Sequence, residues 1–499
     1  MKFYAARTKA EGYRLIAGYL GVVAMLAGTI VLLPLAFLIA FPEEISHADD
    51  FIAPGAASIM AGYLLSLFIR GKNRGKLNGN QEALIVISTW MIAILASAAP
   101  FVLSGRWNFP QAVFEATSGY TTTGLSIVDV EECPRLFLAF RSIMHLFGGL
   151  GFMLVMASVF TDRNGMRLHT DGDRGDRLIQ NLLKSARTIT AIYSGYIASG
   201  TLLYIAAGMG WFDALNHAIA AVTTGGFSTR SLSIGYYDSL PIEIITIVLM
   251  LLGATNFLVH LLILKGKFSG WIRHCETRLS LILIASATPI VGVFLMGGVA
   301  GNLSQAARLS LFQTVSALTT TGLRTASDFS AWPSSSIFIL LLLMVTGGGA
   351  GSTAGGIKQA RVVILLKALG REQRRKFNPR RIFRESEMCN FGAREAIMEE
   401  DSRQTGLFVL LYLAIVALGT LGYSFYGYSL QDSVFEFASA LGTVGLSSGI
   451  TKAGAPPGVL WIGTAGMFLG RMEIYFVFLG FAKLARDATD LLRGRYHGS

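Results

Sequence analysis

Long apolar runs alternate with short polar connections along this chain. A bilayer core takes about 20 apolar residues per helix, and by that measure ten runs qualify, at 15–41, 51–70, 82–104, 136–160, 186–209, 240–265, 278–299, 334–369, 405–428 and 457–485. The connections sort by charge. Lys2, Arg7, Lys9 and Arg14 precede the first run, and the basic stretches Arg70 to Lys76, Arg163 to Arg187, Lys265 to Arg278, Lys358 to Arg394 and Lys483 to Arg495 all fall on that same side. Glu43, Glu44, Asp49, Asp50, Asp129, Glu131 and Glu132 fall on the other. The positive-inside rule therefore puts both termini in the cytoplasm. The first run is about twice as long as a signal-peptide core and lacks a small-residue cleavage site, so it reads as a retained span. Trp107, Trp211 and Trp332 fall where an outer aromatic belt would sit.

Four outer segments are not ordinary loops. Each is a moderately apolar stretch, too short to cross, that ends in a Thr/Gly cluster: TSGYTTTGLS around Gly124, AAVTTGGFST around Gly226, SALTTTGLRT around Gly322 and SALGTVGLSS around Gly445. The intervals between those glycines are 102, 96 and 123 residues, the length of a whole supersecondary unit. Phe114, Phe312 and Phe435 stand at one register before the first, third and fourth of these glycines, with Asn216 at that register before the second. The expected architecture is an all-α integral membrane protein with ten transmembrane helices and four re-entrant pore helices, its four helix, loop, helix repeats set in pseudo-fourfold fashion around one pore. The expected divisions are a helix pair at 1–80 and repeats at 81–165, 166–270, 271–395 and 396–499.

The clusters suit one chemistry. A partly dehydrated alkali cation needs oxygens that replace its water, and rings of backbone carbonyls supply them. Glycine tolerates the dihedrals that aim successive carbonyls at one axis, and threonine adds hydroxyl oxygens. The candidate ion-binding residues are Thr121, Thr122, Thr123 and Gly124; Thr223, Thr224, Gly225 and Gly226; Thr319, Thr320, Thr321 and Gly322; and Gly442, Thr443, Val444 and Gly445. A short helix before each cluster would aim its negative end at the cation. Asn108 with Pro110, Asp213, Ser304 and Asp432 are candidate caps, with Glu115 and Glu436 near the helix starts.

The run at 334–369 is interrupted by TGGGAGSTAGG, Thr346 to Gly356, six glycines in eleven residues. At about 1 kcal/mol per glycine relative to alanine, a loop is expected in place of a helix, and such a loop persists at membrane depth only if buried or lining a wet cavity. The competing use is tight helix packing, since Gly347, Gly351 and Gly355 have GxxxG spacing. Gly149, Gly253, Gly348 and Gly470 lie 25, 27, 26 and 25 residues past their cluster glycines, so all four second helices soften at one level. Thr346, Gly347, Gly348, Gly349, Gly351, Gly355 and Gly356 are candidate gate residues. Arg471 at that level either faces the cavity or pairs with a carboxylate such as Glu473 on another helix. His145 and His260 are read as packing residues.

Composition narrows the classes. With 52% hydrophobic and 15% charged residues the chain is too apolar for a soluble protein of 499 residues. The net charge of +11 sits between apolar runs, not on one face, which argues against nucleic acid. Cys133, Cys275 and Cys389 are too scattered for a zinc site or a disulfide framework. A membrane enzyme is disfavoured, because no nucleophile elbow, HExxH motif or paired intramembrane carboxylates occur. GGGAGSTAGGIK is no phosphate loop, since Lys358 is followed by Gln359 in place of Ser or Thr.

With these clusters in this order the chain resembles the Trk/Ktr family of potassium-uptake proteins, in particular the TrkH-type membrane subunit, over essentially its whole length. The resemblance implies a potassium filter built around Gly124, Gly226, Gly322 and Gly445 and a glycine-rich intramembrane loop that obstructs the path below it. It also implies a location in the bacterial inner membrane, a homodimer, and a cytosolic nucleotide-binding TrkA-like partner, which the basic segment REQRRKFNPRRIFR would suit. Potassium is the cargo; no cofactor of the chain itself is implied. The second cluster reads TTGG and the fourth GTVG, an asymmetry that leaves a sodium-selective or weakly selective transporter of the same architecture as the alternative.

Overall fold

Backbone N–H and C=O groups inside lipid have no water to bond, so the apolar runs form helices, and several of them are broken. The computed structural model describes residues 2–70, 79–150, 172–326, 329–377, 387–390 and 393–475, with scattered positions from 477 to 489. The far ends of the runs at 136–160 and 457–485, and parts of the basic stretches after Arg70, Arg163, Lys376 and Lys483, lie outside the described residues.

Contacts divide the chain into two units, residues 1–117, 133–144 and 472–499 in the first and 118–132 and 145–471 in the second. In the first, helices Lys2–Leu32 and Ala48–Ser66 approach backbone to backbone. A Cβ on Gly28 would lie 2.6 Å from the Gly55 carbonyl oxygen, and one on Gly21 2.6 Å from that of Gly62. Phe51, Phe101, Phe137 and Phe140, all buried, pack ring on ring beside Trp107. Glu44 accepts from the Arg135 and Leu136 amides, both at 2.8 Å, so a carboxylate satisfies free donors at the positive end of helix Arg135–Gly149.

The second unit repeats one order three times over: a long helix, a short helix, an extended segment and a second helix. The long helices are Gly172–Ala206, Cys275–Leu295 and Glu399–Ser424, and their short helices are Trp211–Val222, Leu303–Leu318 and Leu430–Leu441. Helix Gly79–Leu103, short helix Phe109–Tyr120 and helix Arg135–Gly149 form the same succession ahead of them. Two buried clusters, one around Tyr204, Met250 and Phe312 and the other around Trp332, Met344 and Phe435, wrap the short helices.

Among the described residues five helices are long and apolar enough to cross a bilayer, Ile16–Ile39, Leu84–Leu103, Arg187–Ala206, Cys275–Leu295 and Glu399–Ser424. Leu240–Gly253 with Phe257–Leu264 would be a sixth, bent by 109°. The other expected runs differ for visible reasons. Asp49 and Asp50 keep Ala48–Ser66 below that measure. The run at 334–369 splits into helices Ser334–Thr346 and Gln359–Phe377 around its glycines. Trp332 is buried against Phe329, at 5.3 Å between ring centroids, so it belongs to the core and not to an aromatic belt.

The short helices begin as their sequences ask, with shifted caps. Asn108 and Gln111 exchange side-chain to backbone bonds of 3.1 and 2.9 Å, a reciprocal cap. Asn302, not Ser304, caps Leu303–Leu318, and Ser429, not Asp432, caps Leu430–Leu441, because only the residue just outside a helix reaches back to its third amide. Asp213 does not cap its helix either; it turns to Arg230.

Candidate functional site

The four extended segments leave their short helices by the same backbone route. The Thr123, Gly225, Thr321 and Val444 amides each donate to the carbonyl five residues earlier, at 3.0, 2.8, 3.0 and 2.8 Å. One residue before them, Thr122, Thr224, Thr320 and Thr443 have φ of 54, 51, 52 and 49°, left-handed values. A β-branched residue there is strained by about 1–3 kcal/mol. One residue after them, Gly124, Gly226, Gly322 and Gly445 have φ of 90, 75, 77 and 95°. Four copies of one rare conformation within one unit make this the strained centre of the molecule.

The four segments close a ring. A Cβ on Gly124 would collide with the carbonyl oxygen of Gly225, one on Gly226 with that of Thr321, one on Gly322 with that of Val444, and one on Gly445 with that of Thr123. Each glycine thus faces the equivalent carbonyl of the next segment, and the fourth returns to the first. The four segments carry all sixteen candidate ion-binding residues, and none of these is charged. Thr121 and Thr123 share a hydroxyl bond of 2.7 Å, as do Thr319 and Thr321 at 2.8 Å. The arrangement gathers oxygens without fixed charge, a setting that replaces a cation's hydration shell.

Nine residues before each glycine the short helix carries a buried polar side chain: Glu115, His217, Gln313 and Glu436. Glu115 and Glu436, expected near the helix starts, lie past the middle of their helices. Glu436 accepts from the Ser447 hydroxyl at 2.9 Å and the Ser448 and Thr451 amides at 2.8 and 3.0 Å, pinning the chain just beyond Gly445. His217 Nε2 bonds the Ser228 hydroxyl at 2.9 Å, just beyond Gly226. Glu115 accepts from Arg141 Nε at 2.7 Å, a pair almost wholly withdrawn from solvent. Outside the ring, Asp213 accepts from Thr229, Tyr237 and Arg230. Burial and then the Asp213 carboxylate push the Tyr237 hydroxyl up, so it stays protonated and donates.

Residues 347–358 form a hairpin and not a helix, which removes the GxxxG packing reading. The Ile357 and Lys358 amides donate back to the Val345 and Thr346 carbonyls at 3.0 and 3.2 Å, and Gly347, Gly351 and Gly356 take φ of 72, 64 and 77°. The hairpin lies against the left-handed threonines: Thr224 bonds Thr353 hydroxyl to hydroxyl at 3.0 Å, and the Gly355 amide donates to the Thr320 hydroxyl at 2.7 Å. A Cβ on Gly355 would collide with the Thr443 hydroxyl and the Gly442 carbonyl. The second helices end at Gly149, Gly253, Thr346 and Arg471. Gly148, Gly253 and Gly470 touch the last carbonyls of their short helices, Tyr120, Val222 and Leu441, and in the first repeat the touching residue is Gly148, not Gly149. Arg471 donates to the Thr353 carbonyl at 2.7 Å and to the Gly148 carbonyl at 2.5 Å. His260 is a packing residue, bonding Tyr196 and the Leu252 carbonyl, both at 3.0 Å.

A family model described as TrkH, cation transport protein, matches residues 47–489. The Trk system potassium uptake protein TrkH of Halomonas elongata is 29% identical over 93% of this chain and 97% of its own length. The Trk system potassium uptake protein TrkG of Escherichia coli is 32% identical over 80% of this chain and 84% of its own. The crystal structure of the potassium transporter TrkH from Vibrio parahaemolyticus superposes with a TM-score of 0.80 at 24% identity, over 94% of this chain and 98% of that one, a likeness of fold.

Proposed function

We propose that this chain, which belongs to the TrkH family of cation transport proteins, takes up potassium across the bacterial inner membrane through a filter made by its ring of four segments. The observation that carries the reading is the closure of that ring, Gly124 to Gly225, Gly226 to Thr321, Gly322 to Val444 and Gly445 to Thr123. A cation entering it exchanges water for backbone and threonine oxygens. The short helices act as re-entrant pore helices, the ten runs as crossings with both termini cytoplasmic, and 1–80, 81–165, 166–270, 271–395 and 396–499 as a leading helix pair and four repeats in pseudo-fourfold order. The hairpin from Thr346 to Gly356, with Arg471 beside it, serves as the gate: it lies against three of the four left-handed threonines and so stands across the path.

The relatives are named as proteins of a Trk system, and the proposal extends to a cytosolic nucleotide-binding TrkA-like partner and a homodimeric assembly. Helix Gln359–Phe377 ends in Arg374, Arg375 and Lys376, a basic end suited to an acidic partner surface. A second reading, sodium passage through the same ring, is favoured by Gly225 and Val444, which stand where the first and third segments carry threonine. Reversal potentials in proteoliposomes, with potassium, sodium and pH gradients imposed one at a time, test both. A potential that follows the potassium gradient alone supports the proposal; one that follows sodium equally rejects it in favour of the second reading; no cation current rejects both.

A further inference from the structure

Two helices of the second unit break at neighbouring points, and each break satisfies the other. A broken helix leaves donors and acceptors that must find partners when buried. Between Leu240–Gly253 and Phe257–Leu264, the freed Ala254 carbonyl accepts from the Gly349 amide at 3.0 Å and the freed Phe257 amide donates to the Gly351 carbonyl at 3.0 Å. Asn256 Nδ2 donates to the Ala350 carbonyl at 2.5 Å. The Ala350 amide goes elsewhere. It donates to Glu276 Oε1 at 2.7 Å, and the other oxygen of Glu276 lies 3.1 Å from His274 Nε2. Glu276 is only 4% exposed and sits in the first turn of helix Cys275–Leu295, directly after the connection at 265–274. A cavity beside the hairpin tip is lined by Asn256, His274, Glu276, Ser280, Gly349 and Gln359, so the tip has space on its Glu276 side.

We propose that Glu276 is the latch of the hairpin: a positioning residue whose carboxylate holds the Ala350 amide, keeps the tip in the break of the second repeat, and links the gate to movement of the 265–274 connection. This rests on the hairpin being the gate. A charged acceptor on a backbone amide is among the stronger hydrogen bonds of a buried site. Its loss frees the tip while leaving the ring bonded as before.

The test compares Glu276→Leu, Glu276→Gln and a protein shortened between Gly347 and Gly355, reading flux, potassium to sodium ratio and thermal stability on each preparation. Glu276→Leu is expected to raise flux without a regulatory partner by about tenfold, the shift a lost charged hydrogen bond gives. Glu276→Gln, which keeps an acceptor, is expected to raise it less, and both keep the wild-type ion ratio. Combining Glu276→Leu with the shortened hairpin adds nothing further. Should the leucine variant not fold, the rise in the glutamine variant decides. Wild-type flux in the folded Glu276 variants beside a leaking shortened protein overturns the latch and leaves the gate standing; wild-type flux in all of them overturns the gate and the latch together.

Discussion

The ring of His145 occupies the space that a side chain on Gly225 would need: a Cβ on Gly225 would fall on His145 Nδ1. His145 comes from the second helix of the first repeat, is fully buried, and lies 4.1 Å between ring centroids from Phe227. This explains why the second segment reads TTGG where the first and third read TTTG. Gly225→Thr is expected to destabilise by about 1–3 kcal/mol, as other overpacked sites do. His145→Ala should return part of that loss in the double variant, giving a coupling between the two positions. Thermal unfolding of the wild type, the two single variants and the double variant measures it; strict additivity would show that the histidine does not dictate the glycine.

Alanine at Gly124, Gly226, Gly322 or Gly445 meets two obstacles at once, a positive φ and a collision with the next segment's carbonyl. Gly105 separates the two, since its φ is 70° but nothing lies within 4 Å of the added Cβ. Gly105→Ala should therefore cost only the conformational strain, about 1–2 kcal/mol, with uptake and selectivity intact. Each ring variant should lose selectivity or uptake as folded protein, measured by growth of a potassium-uptake-deficient bacterium on low potassium and by reversal potential. Normal selectivity in all four would remove the ring from the ion path.

The glycines and the broken third repeat are legible in the sequence because both are compositional: few uses other than special backbone repeat a Thr/Gly cluster four times after a short apolar stretch or put six glycines into one apolar run. The left-handed Thr122, Thr224, Thr320 and Thr443 are not legible, since β-branching argues against positive φ and only the closure of the ring imposes it. The partners of His145 and Arg471 come from other repeats, and the Ala350 amide that Glu276 holds lies 74 residues further on, separations that no local pattern reports. One missed signal was available. A polar residue nine positions before every glycine marks Glu115, His217, Gln313 and Glu436.

Those four side chains are unequal in what they hold. Glu436 satisfies a hydroxyl and two backbone amides beyond Gly445, so Glu436→Leu strands buried donors and is expected to destabilise by about 1–3 kcal/mol for each donor left bare. Gln313 is equally buried, yet neither atom of its amide has a protein partner among the described residues. Gln313→Leu removes polar atoms that hold nothing, and is expected to be neutral or stabilising. Chemical unfolding of the two variants side by side checks the contrast, which fails if the glutamine variant loses as much as the glutamate one.

The Arg471 guanidinium clamps two backbone carbonyls, Thr353 in the hairpin and Gly148 at the end of the first repeat's second helix. If the hairpin is the gate, as proposed, the Arg471 charge beside it would also repel a passing cation, the more strongly where water is limited. On that reading two effects would act in one direction, the clamp fixing the hairpin and the charge opposing permeation. Lysine and glutamine separate them. Arg471→Lys keeps the charge but cannot span two carbonyls in a fixed fork, whereas Arg471→Gln removes the charge and keeps one donor group. If repulsion dominates, flux rises in the glutamine variant and stays low in the lysine variant; if the clamp dominates, both rise. The clamp geometry favours the second pattern, because Thr353 is also the residue that bonds Thr224 of the ring. Vesicle flux per folded molecule, read with thermal stability on the same preparations, decides, and a stable glutamine variant with unchanged flux would remove Arg471 from the gate altogether.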